Sequence, residues 1–339
     1  MEPLIEVKDL SQEFHLTKGL LQSLRLEKGR IVKQDKVVHA VNQVSFQMEK
    51  GEVFSLVGES GCGKSTTART IIRLLEPSGG QVLYKGTDIS HLSAHELLPY
   101  RKSMQMIFQD PYASLNPRQR VEEIIMEPML FHGIAKDRKD AREQCMDKLN
   151  RVGLRPEQAG RYPHQFSGGQ RQRIGIARAL AVKPEFIIAD EPVSALDVSV
   201  RAQVLNLIQD LQKTKKLTYL FISHDLSVVK YVSDRIAVMY LGQIVELADS
   251  RELFDHPLHP YSKALFDAVP LADPRTRKRL GGGVIEGEAE ILPGPGEGCP
   301  FYPRCPRRSR ECSAAKMELR PASEGSSHLV SCIHAGQEE

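Results

Sequence analysis

The eight residues Gly58-Glu59-Ser60-Gly61-Cys62-Gly63-Lys64-Ser65 constrain this chain more than any other feature. They fit the pattern G-x-x-x-x-G-K-[ST], whose glycines let successive backbone N–H groups turn inward around phosphate oxygens. The setting agrees. VFSLVG ahead of the motif is a short buried strand, and a helical pattern opens at Lys64 and runs to about Leu75, where Pro77 and Gly79-Gly80 end it. A strand, a tight glycine turn and a helix N-terminus make an anion site with the helix dipole behind it. Lys64 is expected to reach the β- and γ-phosphates and Ser65 to ligate Mg²⁺, with Thr66 next in the helix. Cys62 is expected to be a spacer rather than a nucleophile.

Around this motif the chain alternates strands and helices. Residues 4–10 and 38–48 alternate apolar and polar as half-buried strands do, and EFIIAD at 185–190 and TYLFIS at 218–223 are apolar strands. EIIMEPML, DAREQCMDKLNRVGL and VRAQVLNLIQDLQ carry helical periodicity, and RIAVMYLGQIVELA reads as a hairpin turning at Gly242. Such alternation predicts an α/β fold with a mainly parallel, covered sheet. Between the first two strands lies an excursion of about twenty residues with Lys18, Arg25, Lys28, Arg30, Lys33 and Lys36 against Glu27 and Asp35. It is expected to be a loop or hairpin with a solvated surface, contact with lipid headgroups or a membrane partner being the alternative. Over all 339 residues, 46 basic against 43 acidic side chains leave +3, too little to argue for nucleic acid. No apolar stretch is long enough to span a membrane, and MEPLIEVKDL lacks a signal-peptide layout, so a cytosolic chain is expected.

A second set of residues belongs with the first. Asp190 ends an apolar strand, where a carboxylate can hold Mg²⁺, and Glu191 follows where a general base can deprotonate an attacking water. Some twenty residues earlier stand Phe166-Ser167-Gly168-Gly169-Gln170, then Arg171-Gln-Arg173. Alone, residues 171–178 could be a basic nucleic-acid helix. In this order, the motifs resemble those of the ATP-binding-cassette (ABC) ATPases, whose signature L-S-G-G-Q differs here only at Phe166. The resemblance covers about residues 4–255. It implies that Gln109 touches Mg²⁺ or the attacking water, that Ser194-Ala-Leu-Asp197 meets the partner ATPase, that His224 contacts the γ-phosphate, and that Ser167 to Gln170 cap a γ-phosphate held by the opposite subunit. Phe14 is the candidate for stacking on adenine. The implied fold is of P-loop NTPase type: a mainly parallel sheet with an antiparallel β part, a helical subdomain at about 110–180, and a small C-terminal extension.

The character changes near residue 255, with HPLHPY, GGG at 281–283 and LPGPGEG at 292–298. The expected division is therefore a nucleotide-binding domain at 1–255 and an extension at 256–339. HPLHPYSKAL, GCPFYPRCP and DPYASLNPR look like segments of the ATPases that power oligopeptide and dipeptide importers, the last favouring the second, F-type ATPase of the pair. That resemblance implies ATP and Mg²⁺, a paralogous ATPase, two integral-membrane permeases, an extracytoplasmic substrate-binding protein, no nucleic acid, and a place on the cytoplasmic face of the membrane. Importers of nickel, glutathione or another small solute are alternatives, as is a soluble cassette ATPase acting in translation or on DNA. Cys299, Cys305, Cys312 and Cys332 follow C-x5-C-x6-C-x19-C. Zinc knuckles use a tighter pair, whereas four looser thiolates can enclose a [4Fe–4S] cluster, which some relatives carry here; zinc and reduced thiols without metal are the alternatives. His328 and His334 are candidate substitutes for a thiolate.

Overall fold

A computed structural model describes residues 2–16, 24–27, 30–33, 36–268 and 298–336. The glycine-rich stretches at 281–283 and 292–297 lie outside the described residues. The chain opens with strands β1 (Ile5–Leu16), β2 (Leu24–Glu27), β3 (Arg30–Lys33), β4 (Lys36–Met48) and β5 (Val53–Val57), then helix α1 (Lys64–Ile71). Next come β6 (Gly79–Tyr84), β7 (Thr87–Asp88), α2 (Leu98–Ser103), β8 (Met104–Ile107), α3 (Pro111–Ser114), α4 (Val121–Phe131), α5 (Arg138–Arg151) and α6 (Gly168–Ala181). After these follow β9 (Phe186–Asp190), α7 (Val198–Lys215), β10 (Thr218–Ile222), α8 (Leu226–Val232), β11 (Arg235–Tyr240), β12 (Gln243–Asp249), α9 (Ser250–Asp255), α10 (Pro260–Asp267), β13 (Arg320–Pro321) and β14 (Leu329–Val330). The chain divides into two compact units, one comprising Met48–Ser55 and Leu92–Asp234, the other Glu2–Gln47, Leu56–His91 and Arg235–Glu339.

In the first unit, β9 lies between β8 and β10 and is parallel to both, with Ile107 level with Ala189 and Ile222 with Asp190. Both β9 and β10 are buried along their whole length, which is why they read as continuous apolar runs rather than alternating ones. The helices pack through stripes spaced three or four residues apart: Val121, Ile125 and Met129 on α4, Ala141, Cys145 and Leu149 on α5, Ile174, Ala177 and Ala181 on α6. Local chemistry starts them. Asp137 accepts the N–H groups of Lys139 and Asp140 at the head of α5, and Asp225 those of Ser227 and Val228 at the head of α8.

In the second unit, one sheet has the order β4-β1-β6-β7, with β1 antiparallel to β6. The basic excursion contains a hairpin, β2 with β3, as one of the two expected forms. Strands β11 and β12 are antiparallel and joined by Leu241 and Gly242, with φ of 44° and 82°. Two consecutive positive φ values match the two-residue turn that suits the right-handed twist of a hairpin. The expected hairpin is therefore present. Helix α1 stops at Ile71, short of Leu75, because Arg73 is left-handed at φ 57°. Two short later strands extend this hairpin: β14 pairs antiparallel with β12, and β13 with β14.

Candidate functional site

The glycine-rich loop at 58–65, the expected phosphate loop, lies in the second unit. Gly58, Gly61 and Gly63 have φ of 149°, 80° and 107°, left-handed or extended-positive conformations that other residues rarely adopt. At two of them the walls are as restrictive as the torsions. A Cβ at Gly58 would stand 2.1 Å from the Met239 carbonyl oxygen, and one at Gly63 would stand 2.2 Å from that of Ala40. The loop is thus drawn tightly over backbone. Buried Lys64 folds back across it, Nζ donating to the carbonyl oxygens of Gly58 and Glu59, each at 2.8 Å. These carbonyls hold the ammonium inside the loop. Burial pushes the Cys62 thiol above its ordinary range against the pull of Lys64, which keeps it protonated and suits a spacer. On β1, Phe14 presents an exposed ring.

A second cluster lies in the first unit, where three adjacent parallel strands end. Gln109 follows β8, Asp190 and Glu191 end β9, and His224 follows β10. Carboxyl ends of neighbouring parallel strands converge on one edge, the usual place for a ligand in an α/β sheet. Buried Asp190 is the last residue of its strand. The Glu191 backbone is left-handed at φ 46° and is anchored by its N–H to the Ile222 carbonyl at 2.9 Å. This conformation costs about 1–2 kcal/mol in a residue with a Cβ. It directs the carboxylate between two partners: Gln109 Nε2 donates to Oε2 at 2.8 Å, and His224 Nδ1 lies 3.2 Å from Oε1. The structure therefore brings together Gln109, Glu191 and His224, which are far apart in sequence. Ser194 Oγ adds a bond to the Glu191 carbonyl at 3.1 Å, and Asp197 is the N-cap of α7.

The signature residues open α6. Ser167 Oγ accepts the Gln170 N–H at 3.4 Å while Gln170 Oε1 accepts the Ser167 N–H at 3.1 Å, a reciprocal capping box. Gly169 is required by packing, since a Cβ there would meet Val200 Cγ1 at 2.2 Å, whereas Gly168 has ordinary clearance. Phe166 is buried in the core of this unit, so its departure from leucine is absorbed by packing. The arginines that suggested a nucleic-acid helix are committed to the protein. Arg171 bonds the Pro163 carbonyl and the Tyr112 hydroxyl and stacks over the Tyr112 ring, while Arg173 reaches Val152 and Gln203. Arg178 bonds the Ser114 carbonyl.

Compared with known proteins, residues 41–194 match the ABC transporter family and residues 245–312 match the C-terminal region of oligopeptide/dipeptide transporters. The oligopeptide transport ATP-binding protein AppF of Bacillus subtilis is 50% identical over 335 residues, covering 98% of this chain and 97% of the relative. This chain belongs to the ABC transporter ATP-binding family. OppF of the same organism, also an oligopeptide transport ATP-binding protein, is 56% identical over 274 residues, 80% of this chain and 84% of the relative. Among solved structures, the dimeric ATP-binding cassette MJ0796 in a post-hydrolysis state with ADP and Pi superposes with a TM-score of 0.62 at 26% identity, covering 73% of this chain and 99% of that one. The α/β fold is accordingly that of an ABC ATPase cassette, and the chain is an ATPase that works with ATP and Mg²⁺. No helix among the described residues is long and apolar enough to cross a membrane.

The C-terminal cysteines converge. Cys299, Cys305, Cys312 and Cys332 line one pocket with Phe301 and His334, a cavity of about 10 Å³ that holds roughly one water molecule. Burial and then the neighbouring thiols push Cys299 up to about 12, so it is a neutral thiol as it stands. His328 is elsewhere, with Nε2 2.7 Å from Glu246 Oε1. Among the described residues no group of three or more His, Cys, Asp or Glu side chains is arranged to hold a metal ion. Sequence reasoning passed over Tyr261, which lies in HPLHPYSKAL and was legible there only as part of a tail motif. Its buried hydroxyl accepts the Glu59 N–H at 2.9 Å, and burial keeps it protonated.

Proposed function

We propose that this chain is the ATP-hydrolysing subunit of an importer of dipeptides and oligopeptides, bound at the cytoplasmic face of the membrane. The observation that carries this reading is the joining, in one chain, of an ABC cassette to an oligopeptide/dipeptide transporter C-terminal region at 245–312. Its partners are a paralogous ATPase forming a heterodimer with it, two permeases that span the membrane, and an extracytoplasmic binding protein that selects the solute. The domains are a nucleotide-binding part at 1–255, with a helical subdomain at about 110–180, and the extension at 256–339.

The residue roles in this reading are those that the motifs imply. Gly58, Glu59, Ser60, Gly61, Cys62 and Gly63 form the loop that wraps the phosphates; Ser60 to Gly63 supply backbone N–H groups, Glu59, whose N–H is taken by Tyr261, shapes the loop, and Lys64 exchanges its two carbonyl partners for phosphate oxygens. Ser65, Thr66, Gln109 and Asp190 hold the nucleotide and Mg²⁺, which when bound neutralises charge developing on the phosphate oxygens. Glu191, fixed by Gln109 on one oxygen, takes the proton of the attacking water, and His224 contacts the γ-phosphate. Ser167, Gly168, Gly169 and Gln170 serve the nucleotide of the opposite subunit, with Asp197 at the same dimer face, and Phe14 stacks on adenine. The iron–sulfur reading of the four cysteines draws support from their lining one pocket. The room in that pocket, about one water molecule, does not fit a bound cluster as the side chains stand. Anaerobic purification separates the cases: a brown, iron-containing chain supports a cluster, a colourless iron-free one leaves zinc or reduced thiols.

The test of the importer reading is a pull-down of the chain from gently solubilised native membranes, with all partners identified by mass spectrometry. A second cassette ATPase, two permeases and a binding protein that takes peptides support it. A binding protein selective for nickel or glutathione corrects the solute. Ribosomal or DNA-associated proteins without permeases overturn transport.

A further inference from the structure

We infer that the C-terminal extension is a working part of the phosphate loop, with Arg304 acting as a positioning residue that holds Glu59 and cancels its charge where triphosphate binds. This rests on residues 58–65 being the nucleotide's phosphate site. Arg304 Nη1 lies 3.0 Å from Glu59 Oε2 and Nη2 lies 3.2 Å from Oε1, a paired contact across 245 residues of sequence. Paired guanidinium–carboxylate contacts fix orientation as well as charge. The Arg304 side chain is 11% exposed and that of Glu59 is 32% exposed, so solvent screens the pair only in part. Nη1 also donates to the Tyr240 hydroxyl at 3.3 Å. The base of this arm is rigid: Tyr240, Tyr261 and Phe301 form a buried aromatic trio with ring centres 4.7, 5.3 and 5.5 Å apart.

Glu59 is held at every polar group it has. Its carboxylate meets Arg304, its N–H meets Tyr261 Oη, and its carbonyl accepts Lys64 Nζ. Two of these three partners stand beyond residue 255, in the extension. A phosphate loop must bind a highly negative ligand, yet its second residue is itself an anion, and Arg304 resolves that conflict. Without it, an uncompensated carboxylate stands on the loop that binds the phosphates, and the loop loses one of its anchors.

The experiment measures ATP binding, KM and kcat on the full chain within the purified transporter complex, for Arg304→Ala, Arg304→Lys, Glu59→Gln, the double variant Arg304→Ala/Glu59→Gln, and Lys64→Ala. Arg304→Ala is expected to weaken ATP binding about tenfold and raise KM alike while kcat stays within about twofold. Arg304→Lys, which keeps charge but not the paired geometry, falls between it and the unaltered chain. Removing the carboxylate as well restores most of the affinity, because the repelling charge is gone. A merely structural Arg304 predicts loss of thermal stability with no such rescue, and that result overturns the inference. So does ATP affinity within twofold of the unaltered chain in both Arg304 variants while Lys64→Ala has lost ATP. If Lys64→Ala itself keeps ATP, the phosphate-loop assignment fails, and the inference with it.

Discussion

Replacing Glu191 with glutamine separates the chemistry of this residue from its role in the fold. The side chain keeps its shape, and the surroundings admit one amide orientation that preserves both contacts. The amide oxygen faces Gln109 Nε2, the donor now 2.8 Å from Oε2, and the NH₂ faces His224 Nδ1, now 3.2 Å from Oε1, with that nitrogen accepting. The left-handed backbone at φ 46° is common to both residues and cancels from the comparison. Folding stability should therefore change by no more than about 1 kcal/mol, the net worth of one neutral hydrogen bond. Turnover should not survive. A positioned base contributes about 10²–10⁴ in rate, so the barrier rises by about 3–5 kcal/mol. Mg-ATP at about a hundred times its dissociation constant should still stabilise the variant by about 2.7 kcal/mol against unfolding. The assays are steady-state phosphate release and thermal unfolding with and without Mg-ATP on the purified complex. Turnover within twofold of the unaltered chain would remove Glu191 from the base role. Loss of the ATP-induced stabilisation would mean that the contacts with Gln109 and His224 do not survive the change.

Other consequences are as concrete. Gly63→Ala adds a strained backbone at φ 107° to a Cβ 2.2 Å from the Ala40 carbonyl, about 1–3 kcal/mol from each source, and should weaken ATP binding at least about tenfold by equilibrium titration. Gly61→Ala, with nothing within 4 Å, should pay the torsional cost only and bind more tightly than Gly63→Ala. Gly169→Ala should lower stability by about 1–3 kcal/mol through its clash with Val200, and Val200→Ala added to it should recover much of the loss in thermal unfolding. His259 accepts the Tyr261 N–H at Nδ1 and is therefore neutral, and burial, opposed by Glu246, lowers it to about 4. An unfolded histidine takes its proton near 6.5, so this contribution is complete above that pH and is lost as pH falls toward 4, by about 3 kcal/mol. His259→Asn, which can still cap α10, should flatten urea midpoints between pH 7 and 4.5; an unchanged slope would refute the assignment.

Much of the candidate site's local structure was legible because it resides in short runs with fixed internal spacing. Gly58 to Ser65, Phe166 to Gln170 and Ile188 to Glu191 each announce a turn or a strand end, and the parallel order of β8, β9 and β10 then places Gln109, Glu191 and His224 on one edge. What escaped the sequence is non-local or too short to show a period. Strands β13 and β14 have two residues each and exist only through pairing with β12 and one another. The stop of α1 at Ile71 depends on a left-handed Arg73, which carries no compositional mark. The convergence of four cysteines on one pocket is a property of the folded tail, whereas their spacing alone suggested ligands without saying how much room lay between them.

The buried carboxylate of Glu246 has a consequence for how the protein is made. Leu258 and His259 donate their N–H groups to it soon after it emerges, but His328 follows 82 residues later. At about 5–20 residues per second, the ribosome leaves that last partner missing for about 4–16 seconds. During the same interval β12 lacks β14, and an uncovered strand edge invites pairing with other nascent chains. Slow translation of the glycine-rich stretch would lengthen this exposure, so yield of soluble protein should depend on codon choice there and on chaperones that shield unfinished sheets.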